Sequence, residues 1–344
     1  MLPPFLLGLA FGAVMLLSAF SFAGAFRRFL TDRRGAGVRA QFLMIAAATL
    51  LILPATSAGT LFGDPVRGLI FAPGLAIIVG AFVFGTGMQL GGGCASGTLY
   101  ATGGGSLRAL LTLLFFIAGA TLASWQSEWW QHWPAPPPLA LAETFGLLPA
   151  LLTTLALLAA AAWLTWHLER RRHGTAEPIR RPLLWAALAL AALNFLTLPI
   201  AGRPWAITAA FPLWGAKAVA AIGLDEPAFW PFWEDPTRIE ALLRPLTADR
   251  MTAMDFGMIA GAFLAATVAG KFALGRLTQG EAAASTIGGL LLGIGAVLAS
   301  GCNISAYVSG IASGSLHGWL WIAPALFGNW LGLHLRLVFA IRGV

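Results

Sequence analysis

"GAFVFGTGMQLGGGC" occupies residues 80–94 and "GGLLLGIGAVLASGC" occupies residues 288–302. Laid over each other they agree at six of 15 positions, the pairs 80/288, 85/293, 87/295, 90/298, 93/301 and 94/302. Both end on Gly–Cys (Gly93–Cys94 and Gly301–Cys302), and the chain has only 2 cysteines. The likeness extends in both directions. Upstream, QFLMIAAA from Gln41 resembles DFGMIAGA from Asp255, and SFAGAF from Ser21 weakly resembles AITAAF from Ala206. Downstream, GSL recurs at 105–107 and 314–316. Self-similarity at a fixed offset marks two copies of one structural unit.

What surrounds these stretches is apolar. Of 344 residues, 58% are hydrophobic and 10% charged, and mean hydropathy is +0.80. A soluble domain carries roughly 25% charged residues, so the composition excludes a water-soluble fold and predicts an all-α integral membrane protein. The net charge of +7 does not indicate nucleic acid, because Lys and Arg sit in short loops between apolar runs. No basic segment precedes the first apolar run, MLPPFLLGLAFG, so it reads as a retained span and not a leader.

Runs of about 20 mostly apolar residues predict nine spanning helices, near 3–26, 40–58, 69–90, 106–125, 144–166, 183–201, 253–273, 284–300 and 317–340. Three segments, 94–104, 203–223 and 302–312, are apolar but short and rich in small and hydroxyl residues. Such segments survive at membrane depth only when buried in protein or lining a wet cavity, so they are expected to be re-entrant half-helices. The expected organisation is one transmembrane domain over 1–343, with a first half at 1–126, a linking helix at 144–166 and a second half at 183–343. Spans one to four match spans six to nine. Equivalent spans are five apart, an odd number, which inserts the second half upside down: a 4+1+4 inverted repeat, a common transporter plan.

With the N-terminus outside, 15 of 21 Lys and Arg fall on the inner side, among them Arg27, Arg28, Arg108, Arg170, Arg171, Arg172, Arg336 and Arg342. That bias predicts N-out, C-in. The 225–255 region, with Asp225, Glu226, Glu234, Asp235, Glu240, Asp249 and Asp255, is then a long, partly ordered acidic outer loop. No carboxylate falls centrally in an expected span.

The Gly–Cys sites suggest anion chemistry. A half-helix starting near each cysteine would present unpaired N–H groups and a positive dipole end, the ingredients of an anion site. Ser96, Thr98, Asn303 and Ser305 can add donors. A thiol is a weak, polarizable donor, suited to a soft sulfur acceptor. An anion with a sulfur end and an oxyanion end, such as thiosulfate, would use both features. The five histidines form no metal-ligand spacing and there is no C-x-x-C motif, so no cofactor or metal is expected.

GGGCASG, SGCNISAYVSG, GRPWAIT (202–208) and FPLWGAK (211–217) together closely resemble the YeeE/YedE sulphur-transport family, in order over nearly the whole chain. The resemblance implies an inner-membrane transporter, not an enzyme, with thiosulfate passing along the cysteine sites. It also implies a small cytoplasmic TusA-like sulfur-carrier partner. The expected transport residues are Cys94, Cys302, Gly93, Gly301, Ser96, Asn303, Ser305, Ser21, Trp205 and Lys217. Ser21, in AFSFAGAFRR, stands where the family often has a third cysteine. Other readings are a carrier of another sulfur or selenium species, or a membrane thiol sulfurtransferase or oxidoreductase. Against the latter, no general base or resolving cysteine is adjacent in sequence.

Elsewhere, Arg203 reads as an interfacial anchor and Lys217 as either a functional group or a snorkelling one. Trp125, Trp129, Trp130 and Trp133 read as an aromatic belt, and Phe229, Trp230 and Trp233 as interfacial. Asn329 and His334 are expected to bond neighbouring helices.

Overall fold

A computed structural model describes residues 1–339 and 341. Residue 340, Arg342 and the expected domain limit at 343 lie outside them. The chain is all-α apart from a two-stranded ribbon, β1 (Thr60–Leu61) and β2 (Asp64–Pro65). The first part holds α1 (Leu2–Ser18), α2 (Phe22–Asp32), α3 (Ala36–Ala58), α4 (Leu75–Gly91), α5 (Ala95–Gly103), α6 (Leu107–Trp125), α7 (Ser127–Gln131) and α8 (Leu141–Phe145). Next come α9 (Leu147–His173), α10 (Arg181–Ala201), a 3-10 turn (Ile207–Ala209), α11 (Ala210–Ala221), α12 (Pro236–Leu243) and α13 (Arg250–Val268). The chain ends with α14 (Gln279–Leu298), a π-helical turn (Asn303–Val308), α15 (Ser309–Ala312) and α16 (Leu316–Val338).

Among the described residues, eight helical segments are long and apolar enough to cross a membrane, so this is a multi-pass membrane protein. The ninth expected span forms as α16, which carries His317, Asn329, His334 and Arg336 and falls outside that set of eight. The expected first span, 3–26, is not continuous. It breaks at 19–21, where Ala19 adopts a left-handed conformation (φ 53°) and Ser21 caps α2. An apolar run does not reveal such a break, because residues on both sides are equally apolar.

Glycine sets how closely the central helices meet. Gly80 and Gly87 of α4 lie on α14 at Gly295, Ala299 and Gly288, and the registers run in opposite directions. A second partner runs parallel to each: α16 to α4, through Gly85–Ala325 and Gly332–Gln89, and α6 to α14, through Gly289–Thr112 and Gly293–Ala120. α1 and α13 also pack in parallel, through Gly8–Met254 and Gly12–Met258. Without a hydrophobic drive between helices in lipid, such close backbone approach provides the association energy. α9 lies at the periphery, against α3 and α8, with most of its surface free of protein contact.

One end of the bundle is tied by charge. Buried Glu169 of α9 pairs with Arg39 at 2.8 Å and Arg34 at 3.6 Å. It also accepts from the backbone N–H of Gly35 and Glu177, each at 3.1 Å. The α2–α3 and α9–α10 connections therefore share one end.

Several expectations change here. The order in the 225–255 region consists of short turns and α12, and it buries Trp230 and Trp233 while Phe229 stays exposed. Trp230 donates its indole N–H to Asp225 at 2.9 Å, so it is a core residue and not an interfacial one. Asp255, where the acidic region and the span expected from 253 overlap, lies inside α13 and is buried. Asn329 does join neighbours, accepting from Gln89 at 2.7 Å. His334 is exposed and, among the described residues, hydrogen-bonds only its own helix, at the Trp330 carbonyl.

Candidate functional site

Cys94 and Cys302 occupy equivalent structural positions. Each follows a long helix, a glycine-bearing break and a reversal of backbone sign. Gly92 sits at φ 84° in the first break; Ser300 and Gly301 sit at φ 53° and φ 147° in the second. At Gly301 any side chain would also collide with Ser305 Oγ. Each cysteine is the N-cap of the short helix that follows, α5 or the π turn. Both are buried, at 2% and 0% exposure.

Each sulfur sits over the start of its helix. The Cys94 sulfur meets the Gly97 backbone N–H and lies 3.3 Å from Ser96 Oγ. The Cys302 sulfur accepts from the Ser305 backbone N–H and from Ser305 Oγ at 3.6 Å, while the Cys302 N–H donates to Ser305 Oγ at 2.9 Å. The sulfur thus uses its acceptor capacity on the helix N-terminus. Where the sulfur accepts in this way, its S–H is left to donate elsewhere.

The two short helices differ by one residue. Cys94 to Gly105 is one step shorter than Cys302 to Gly314. A π-helical turn absorbs the extra residue: the Tyr307 N–H reaches the Cys302 carbonyl at 3.3 Å, five positions back. Single π turns inside helices concentrate at functional sites. Taking Asn303 as the insertion keeps Ser96 equivalent to Ser305, each beside its own thiol. Asn303 is fully buried, and neither its amide oxygen nor its nitrogen has a hydrogen-bond partner among the described residues.

Two more short helices complete the arrangement. Ser21 caps α2, accepting from the Gly24 N–H at 3.0 Å. Its repeat counterpart, Ala206, caps the 3-10 turn that leads into α11. The four short helices touch in a ring. Ser21 of α2 interacts with the Tyr100 hydroxyl of α5. α5 packs on the 3-10 turn. Thr208 of that turn lies 3.2 Å from Ser305, and Tyr307 of the π turn stands 6.5 Å, ring to ring, from Phe26 of α2. The sequence reading missed the fourth member at Thr208, although its position inside GRPWAIT was visible.

Of the other expected residues, Trp205 belongs to the supporting wall. Its ring stacks on Phe11 at 3.6 Å, its N–H donates to Asn194 Oδ1 at 2.8 Å, and its carbonyl accepts from Ser309 at 3.1 Å. Gly93 is buried against Gly97 and Thr98. Lys217, half-buried on α11, is not brought to either thiol; it lies beyond Trp214 along the helix. Arg203 is no isolated anchor: Arg67, Arg238 and Asp249 all lie within its electrostatic reach. Two surface cavities, of about 500 Å³ beside Phe256 and Phe263 and about 180 Å³ beside Ser313 and Glu143, include neither cysteine. Both thiols are buried from solvent in this structure.

Residues 17–331 match the sulphur-transport family. The chain is 29% identical to the thiosulfate transporter TsuA of Spirochaeta thermophila, covering 94% of this chain and 96% of that one. It is 25% identical to the thiosulfate transporter TsuA of Escherichia coli, over 94% and 91%. The probable transporter YedE of Escherichia coli is 33% identical over 44% of this chain and 37% of its own length.

Proposed function

Since the chain belongs to the sulphur-transport family and is a membrane transporter, not an enzyme, we propose that it carries thiosulfate inward past Cys94 and Cys302. The observation that carries this reading is the matched placement of the two thiols. Each caps a short helix inside the bundle, with its sulfur held by backbone N–H and a serine hydroxyl beside it. A dianion in a low-dielectric interior needs donors on every side. Helix N-termini, Ser96, Ser305 and Asn303 supply hard donors for the sulfonate oxygens. The thiols supply soft donors for the terminal sulfur. The cargo passes from one cysteine to the other by exchange of hydrogen bonds, with no covalent bond formed.

Antiparallel α4 and α14, each with its own parallel partner, support two inverted halves, 1–126 and 183–343, joined by the linking helix. In that plan the two thiols face the pathway from opposite sides, Cys94 from the inner half and Cys302 from the outer. The loop charges support an inner-membrane location with the N-terminus outside. The basic end, with Arg170–Arg172, then faces the cytoplasm, where a TusA-like carrier would receive the sulfur. A thiol-transferase reading lacks support, because hydroxyls and backbone, not a carboxylate or imidazole, neighbour each thiol among the described residues.

The test is uptake of labelled thiosulfate by cells lacking their own importers. Wild type, Cys94→Ala and Cys302→Ala are compared at matched expression. Uptake in wild type and loss in both variants is expected. Uptake that survives both changes would overturn the thiol pathway, and no uptake by wild type would overturn the substrate.

A further inference from the structure

α3 and α13 each bury one polar side chain at the same place in the repeat: Gln41 and Asp255, at 0% and 1% exposure. Neither amide atom of Gln41 and neither carboxylate oxygen of Asp255 has a hydrogen-bond partner among the described residues. The packing of the two helices corresponds. α3 lies against α10, α2 and the segment from the π turn to α15; α13 lies against α1, α11 and α5. One half therefore offers a neutral amide and the other a titratable carboxyl.

The position of Asp255 is defined by its neighbours on the helix. Thr252, three residues earlier, accepts the Trp214 indole N–H of α11 at 2.9 Å. Ile259 and Ala262, four and seven residues later, meet Gly103 of α5. Residues at these spacings share one face. Asp255 thus lies on the interior stripe between the helix that begins at Cys94 and the segment that follows Thr208. The titratable groups on the elements packed around α13 are Tyr100 on α5 and Lys217 on α11. Asp249 stands at the N-cap of α13 itself. α1 and the 3-10 turn carry none.

An ionised carboxylate without a partner is not sustainable in such a site. A proton on Asp255 would remove that charge. Membrane ionisable residues of this kind mark ion pathways and proton relays. The proposed cargo gives that proton a purpose, since an inside-negative potential opposes entry of a dianion. Resting on the thiosulfate reading above, we propose that Asp255 is a proton-coupling site: it binds a proton from the outer side, carries it with the anion through the closed state and releases it inward.

Proteoliposomes test this with two readouts, initial thiosulfate uptake and internal acidification reported by a trapped pH-sensitive dye. Uptake is measured at equal pH and with the outside made acidic. In wild type the gradient should raise uptake about fivefold, the low end of typical coupling between two bound species, and thiosulfate should acidify the lumen. In Asp255→Asn the ratio of gradient-driven to symmetric uptake should fall to about one whatever the absolute rate, while Asp255→Glu restores it. Wild-type uptake that ignores the gradient, follows sodium instead, or keeps its gradient response in Asp255→Asn would overturn the inference while leaving the thiosulfate reading intact. No uptake under either condition would overturn both.

Discussion

Thr208 Oγ1 and Ser305 Oγ lie 3.2 Å apart, although 97 positions separate them in the chain. That contact joins the break after α10 to the break after α14. Ser305 passes it on, since its hydroxyl accepts from the Cys302 N–H and lies 3.6 Å from the Cys302 sulfur. The Cys302 thiol is therefore held by its own helix and, through one hydroxyl, by a second broken helix.

Ser305→Ala removes all three contacts at once. Loss of a cap bond typically costs about 1 kcal/mol, and a buried group left unpaired adds about as much again. The variant should melt earlier in detergent. Uptake should fall by about tenfold, the equivalent of 1.4 kcal/mol in the barrier. A melting curve identical to wild type would remove the capping argument.

Ser21 stands at the start of α2, half-buried beside Tyr100. A hydroxyl caps Gly24 well but is a harder donor than a thiol. Ser21→Ala should cost about 1 kcal/mol of stability and slow uptake, whereas Ser21→Cys should keep uptake near wild type. Equal rates in Ser21→Ala and wild type would take Ser21 out of the pathway.

Gly295 sets the α4–α14 contact, where a Cβ would run into the backbone of Phe84 and Gly80. Backbone cannot move aside as a flexible side chain can. Gly295→Val should cost about 3 kcal/mol, the upper end for overpacking, and should reduce the yield of folded protein by size-exclusion. Gly275→Val is the control, because no atom lies within 4 Å of a Cβ there. Equal yields would mean that the helices separate without penalty.

Glu169 and Arg39 are bonded at 2.8 Å with the carboxylate fully buried. Removing one partner strands the other, at a cost of about 3–5 kcal/mol. Glu169→Ala and Arg39→Ala should each lower the melting temperature, and the double variant should lose less than the two singles combined. Strict additivity in that cycle would show that the pair is not coupled.

The sequence was most legible where chemistry is local. A run of apolar residues needs no partner to reveal that it seeks lipid, so the bundle of spans could be read directly. Left-handed glycines stop helices without help from elsewhere, so the breaks before Cys94 and Cys302 could be read too. The break at 19–21 could not. It depends on Ala19, a residue with no preference for that conformation, held there by what surrounds it. Trp230 and Trp233 misled for a related reason: an aromatic near a membrane surface has the same composition whether it faces headgroups or a folded cap.

By itself, then, the sequence determined the all-α membrane class, the repeat, and the two Gly–Cys sites at matching places, because each follows from hydropathy, spacing or backbone chirality. Tertiary structure alone decided which groups meet. It set Thr208 against Ser305, brought four short helices into contact in a ring, and buried the Asp255 carboxyl inside α13 with no hydrogen-bond partner among the described residues. Those outcomes depend on helices far apart in the chain approaching through glycine faces, and contact between distant residues leaves no periodicity in the sequence to read.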